Sequence, residues 1–182
     1  MVGITSTCHS SSTPESVIPS WAPNVHPLII HFPIVLVVLG LAVDVFRVFR
    51  PRVLSGVPER LYAFAALAAG AAYVSGRVAA DNVFVPGMAH PIVQSHGTWG
   101  LVTVVSLLVL TGLRVMFLRR AVPDHLSLRI LFVVLGIAVN FLMVQTAERG
   151  GRLVFEQGVG VIPGPVPRSI EVTSPNQLQT SR

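Results

Sequence analysis

The chain of 182 residues has no lysine, and all 13 of its basic side chains are arginine. Charged residues of either sign make up only 12% of it, and there is one cysteine, Cys8. Each shortage excludes something. A single cysteine rules out an internal disulfide, and the polar stretch around it (TSTCHSSSTP) contains no CxxCH haem-attachment motif. No apolar run precedes Cys8, so a lipoprotein signal is not expected, nor is a cleaved secretory one. The net charge of +5 comes from arginines at the ends of apolar runs rather than in a basic stripe, a pattern that suits membrane topology and excludes nucleic acid as a partner. No nucleophile–base pair, phosphate-binding loop or carboxylate dyad is present, so independent catalytic activity is not expected.

Apolar length is what the chain does have. It is 52% hydrophobic with a mean hydropathy of +0.69, more than a soluble domain of this size needs to fill a core. A bilayer core takes about 20 residues of helix. Residues 28–48, 61–78, 96–118 and 126–146 are each long enough, or nearly so, to cross it. The connections FRPRVLSGVPER and RRAVPDH are short and contain proline, which makes consecutive helices antiparallel neighbours. The expected fold class is all-α: an integral membrane up-down four-helix bundle with extended outer N- and C-terminal segments. Residues 1–24 read as a polar tail, 25–161 as the transmembrane domain with a C-terminal strap, and 162–182 as a Pro-rich, polar tail. No internal repeat is evident.

The second segment is rich in alanine and glycine, with Ala66 and Gly70, and Ala72 and Gly76, at small-xxx-small spacing. It is expected to be the most enclosed helix, with both glycines against neighbours. Arg47, Arg50, Arg52, Arg60, Arg114, Arg119, Arg120 and Arg129 flank the two short connections, against Arg77, Arg149 and Arg152 near the other ends. By the positive-inside rule the chain is a multi-pass protein of the bacterial inner membrane with both termini outside. Trp21 and Trp99 fit an outer interfacial belt and Tyr62 an inner one.

Four of the six histidines then share the outer end: His26 and His31 at the start of span one, His90 in the outer connection and His96 at the start of span three. His26 and His31 lie five residues apart, about 140° around a helix, so only one of them can face the bundle axis. The deeper one, His31, is the expected inward residue, one turn inside a backbone that Pro33 deprives of a hydrogen bond. His31 and His96 are therefore the candidate metal ligands, for a b-type haem or another metal, with His26 and His90 as second choices. Imidazole is a common axial ligand, and bundle cores are where such sites are built. Arg77, Arg149 and Arg152 are the candidate partners of haem propionates, since guanidinium groups hold carboxylates bidentately. The alternative is that the imidazoles only bond carbonyls freed by the prolines.

The stretches HPLIIHFPIVLVVLGLAVDV, SHGTWGLVTVV and ERGGRLVFEQGVGV resemble the bacterial membrane family called domain of unknown function 2231, over about residues 24–161. That resemblance implies four helices and little chemistry, but family members are sometimes joined to redox modules such as Rieske domains. The family pattern GGxLVYxHGVGV carries a histidine where this chain has Gln157.

Among the remaining polar residues, Asp44 is expected to pair with Arg47 on its own helix, Asn140 to join two helices, and Gly150–Gly151 to end span four. LVFEQGVGVIPGPVP reads as a strap over the histidine end. Two functions follow. One is a small haem-binding subunit of a redox or energy-converting system. The other is a cofactor-free accessory subunit whose partners are membrane proteins of a larger respiratory or photosynthetic complex.

Overall fold

The computed structural model describes residues 25–161. The readings of Cys8 and Trp21, and of both tails, lie outside the described residues. Among the described residues five α-helices run in order: α1 (His26–Ile29), α2 (His31–Phe49), α3 (Val57–Asn82), α4 (His90–Arg119) and α5 (Leu126–Phe155). A single 3₁₀ turn (Gly87–Ala89) precedes α4. Because α1 and α2 meet at Ile30, which itself has helical backbone angles, they act as one span. Four stretches are long and apolar enough to cross a membrane: His26–Phe49, Val57–Asn82, Gly87–Arg119 and Leu126–Phe155.

The sequence starts these helices by a common device. Pro27, Pro58 and Pro91 stand in the first turns of α1, α3 and α4, where a missing amide proton costs nothing and the fixed φ suits a helix. The span starting at His90 is therefore longer than the expected start at His96. The last helix also overruns its expected end, running through Gly150 and Gly151 to Phe155. It stops where Gly158, at φ +63°, lets Val159 donate back to the Leu153 carbonyl at 2.9 Å.

The helices form a ring in which α2 touches α3 and α5, and α4 touches the same two, so α2 lies diagonal to α4 and α3 to α5. α3 has the most buried residues of any helix, as its composition predicts. The outward faces carry exposed Val, Leu, Ile and Phe over most of their length, as lipid-facing surfaces do.

An internal repeat, not legible in the residue types, appears in the buried register. Pro33, Val37, Gly40 and Asp44 are the buried positions of α2, and Thr103, Leu107, Leu110 and Arg114 those of α4. The two sets correspond one to one at the 70-residue interval that separates Asp44 from Arg114. Tyr62, Ala66 and Ala69 of α3 stand in the same relation to Phe132, Gly136 and Val139 of α5. The two helical hairpins thus present equivalent faces to one axis.

At the loop end this brings Asp44 into an ion pair with Arg114, both almost fully buried. Asp44 thus does not pair with Arg47, because Asp44 lies on the inward face of α2 and its own helix offers no cation there. Arg47 turns instead to Glu59 at 3.8 Å and Asp124 at 3.1 Å, and Asp124 also holds Arg129 at 2.9 Å. The Arg114 guanidinium lies between the rings of Tyr62 and Phe132, 4.5 and 4.2 Å from their centroids, a desolvated cation–π sandwich. Tyr62 is fully buried in the core rather than interfacial. It fits because Gly40 and Gly136 flank its ring: a Cβ on Gly136 would stand 2.7 Å from the Tyr62 hydroxyl, and one on Gly40 would stand 3.0 Å from the ring. Gly70 faces open space, so of the two expected contact glycines in α3 only Gly76 is one. Asn140 bonds the Gly136 carbonyl of its own helix and so does not join two helices, whereas Thr111 Oγ1 of α4 donates to the Tyr62 carbonyl of α3 at 3.2 Å.

Removing one partner of a buried ion pair strands the other charge. Asp44→Leu or Arg114→Leu should each cost about 3–5 kcal/mol in unfolding experiments in detergent, and the double Leu variant should recover most of that loss. Single losses that simply add in the double variant would show that the two charges do not act as a pair.

Candidate functional site: the histidine end of the bundle

At the end opposite the ion pair the four helices diverge around an apolar cavity of about 610 Å³. His26 and His96 line it, related by the same 70-residue interval and carried by diagonal spans. Their rings meet with centroids 6.3 Å apart and planes at 79°. The imidazole facing His96 is therefore that of His26 and not the expected His31. Only one of the two faces the axis, as their spacing requires, but the choice between them is reversed: α1 packs against α3 and turns His26 inward, leaving His31 exposed at the cavity rim. His90 is exposed and bonds the Pro86 carbonyl at 3.3 Å, a local contact around the 3₁₀ turn.

Glycines make the approach possible. A Cβ on Gly76 would stand 2.9 Å from His26 Cε1, and one on Gly150 would stand 3.1 Å from His96 Cε1. Gly150 thus receives the His96 ring within α5 instead of terminating the helix. Sequence reasoning singles out both glycines but assigns neither to a histidine, because the match depends on the crossing of helices distant in sequence.

The hydrogen bonds fix which nitrogen each ring offers. His96 Nδ1 donates to the Thr146 carbonyl at 3.0 Å. The Ser75 hydroxyl gives its one proton to the Ala72 carbonyl at 3.0 Å, so at its 3.1 Å contact with His26 it accepts from Nδ1. Both imidazoles therefore carry a proton on Nδ1, which in a neutral ring leaves a lone pair on Nε2, and neither Nε2 has a hydrogen-bond partner among the described residues. Imidazoles oriented in this way through Nδ1 are the usual form of metal-ligating histidine. Below them Thr103 and Thr146, with hydroxyls 2.9 Å apart, form a polar floor.

The three candidate arginines separate clearly. Arg149 is committed: its Nε donates to Ser95 at 3.1 Å, its Nη1 donates to the Gln145 carbonyl at 2.6 Å, and its guanidinium lies 4.3 Å from the Trp99 ring centroid. Arg152 is exposed and flanked by Glu148 and Glu156 at 3.6 and 3.5 Å. Only Arg77 lines the cavity, and it has no ion pair among the described residues. Val159 and Gly160 of the expected strap also line it, whereas Gln157 does not. The histidine of the family pattern at that position would thus sit outside the cavity wall.

The family profile described as "Predicted membrane protein (DUF2231)" matches residues 22–163. The chain belongs to this family. It is a membrane protein with four candidate spans, and the matched region contains every element of the DUF2231 bundle described above. No curated protein and no solved structure matches the chain.

Because the His26 ring leaves no room for a side chain at residue 76, Gly76→Ala should destabilise the bundle by about 1–3 kcal/mol through overpacking. Gly70→Ala, two turns away on the same helix, should be neutral or stabilising by up to about 1 kcal/mol. Thermal unfolding of the two variants in the same detergent checks this, and equal effects would contradict the placement of His26 over Gly76.

Proposed function

We propose that the histidine end binds a b-type haem through His26 and His96, and that the protein is a small electron-transfer or redox-sensing subunit. The observation that supports this reading is the pair of Nδ1-anchored imidazoles 6.3 Å apart in an apolar cavity. Two metal–nitrogen bonds of about 2.0 Å each, plus the two ring radii, come to about 6 Å, so the ring separation is of the size that a shared ion would require. The described residues contain no group of three or more metal-ligating side chains, so an ion held here would take its other ligands from outside the protein, as a haem macrocycle provides. The cavity volume falls in the range of about 300–1,000 Å³ typical of cofactor sites. Haem bound in this way supplies one-electron chemistry. His26 and His96 would hold it, the apolar wall would surround it, and Arg77 would face an acidic substituent at the rim.

The ligand assignment makes a selective prediction. In protein purified from its native membrane, His26→Ala and His96→Ala should each abolish most of the Soret absorbance. His31→Ala and His90→Ala should leave it within about a tenth of wild type, because neither ring reaches the axis. Wild-type protein without haem or other metal, or a variant pattern that singles out His31, would overturn this assignment.

We place the loop end in the cytoplasm of a bacterial inner membrane and the histidine end outside. Arg50, Arg52, Arg60, Arg119 and Arg120 are exposed at the loop end, whereas Arg77, Arg149 and Arg152 lie at the other. A reporter fused after Arg182 should be active outside the cytoplasm, and one inserted at Gly56 active inside. The reverse result would put the histidine site on the cytoplasmic face.

A further inference from the structure

The ion pairs reveal an unusual division of charge. At the loop end the three acids Asp44, Glu59 and Asp124 are held by Arg114, Arg47 and Arg129 in one connected network. At the histidine end Asp81, Glu148 and Glu156 balance Arg77, Arg149 and Arg152 in number. Outside the described residues Glu15 and Glu171 balance Arg168 and Arg182. The whole formal charge of +5 therefore rests on Arg50, Arg52, Arg60, Arg119 and Arg120. All five are exposed, and none makes an ion pair among the described residues.

These five arginines occupy the ends and connections of the spans at one level. The last turn of α2 is tied to the connection between α4 and α5 by the 3.1 Å contact of Arg47 with Asp124. Large apolar side chains stand among them: Phe49 is 77% exposed and Leu118 65%, with Val53 and Leu54 also exposed. Uncompensated guanidinium groups beside apolar side chains at the end of a membrane span suit a phosphate with acyl chains attached. A folded acidic protein would meet the same cations but would leave those apolar groups at a polar rim.

We infer that the loop end is a binding surface for anionic phospholipid headgroups, which forms an acidic lipid collar around the closed ion network. The network consumes the local acids, and so leaves the five arginines free of competing carboxylates. This inference is independent of the haem assignment, since it uses no residue of the histidine end.

The test uses the full chain reconstituted into vesicles of equal parts phosphatidylcholine and phosphatidylglycerol, followed by native mass spectrometry of the retained lipids. Wild type should retain phosphatidylglycerol in clear excess over its bulk share, and the excess should fall as salt is raised. Changing all five arginines to Gln should abolish it, with the loss accumulating at about fivefold in relative affinity per arginine. Arg77→Gln/Arg152→Gln, which removes charge at the other end, should retain it. Since all five side chains are exposed, the variant should keep the helical circular dichroism of wild type; if it does not, the salt titration of wild type decides. Equal retention of both lipids by wild type, a salt-independent excess, or equal loss in the Arg77/Arg152 variant would overturn the inference. Displacement of the lipid by millimolar inorganic phosphate would also overturn it, by showing a site for free phosphate instead.

Discussion

Contact across the bundle axis is the constraint on which this structure depends. Four helices in a ring can bring groups from diagonal members together only where the helices between them give way, and here they give way at glycines and alanines. Gly40 and Gly136 admit the Tyr62 ring, which with Phe132 sandwiches Arg114 at the loop end. Gly76 and Gly150 admit His26 and His96 at the other. The ring nitrogens, the ion pair and the cavity all owe their positions to side chains that are absent.

The repeated register explains why the two ends differ in character. Equivalent positions of two similar hairpins face each other, so a pair of like residues gives a two-fold pair of ligand-type imidazoles, and a pair of opposite residues gives a salt bridge. Asp44 and Arg114 are charged partners in a place where two like charges would repel in a dry environment. His26 and His96 can be alike because an imidazole that carries only its anchored Nδ1 proton is uncharged and keeps a lone pair on Nε2. The Nδ1 anchors, Ser75 and the Thr146 carbonyl, belong to α3 and α5, so all four spans contribute to the geometry of the pair.

The fold is largely legible in the sequence, because apolar runs, short proline-containing connections and arginine placement are properties of neighbouring residues. The enclosed character of α3 and the family follow from the same local signals. The site is legible only in part. Which histidine faces inward depends on how α1 leans on α3, and which arginine stays free depends on Ser95, Gln145 and Trp99 meeting Arg149. The repeat is hidden because the bundle keeps the positions of buried residues, as in Gly40 opposite Leu110, and not their types. Spacing alone pairs Asp44 with Arg47, because it shows only neighbours along one helix and not the Arg114 that reaches Asp44 from the diagonal one.

The central claim is that His26 and His96, whose ring planes cross at 79°, would together hold one haem iron. Electron paramagnetic resonance of the oxidised protein, purified from its native membrane, tests it most directly. The 79° angle between the rings predicts the highly anisotropic low-spin signal of a bis-imidazole iron with nearly perpendicular ligand planes. A high-spin signal, as given when one of the two imidazoles is not bound to the iron, or no iron signal at all would contradict it.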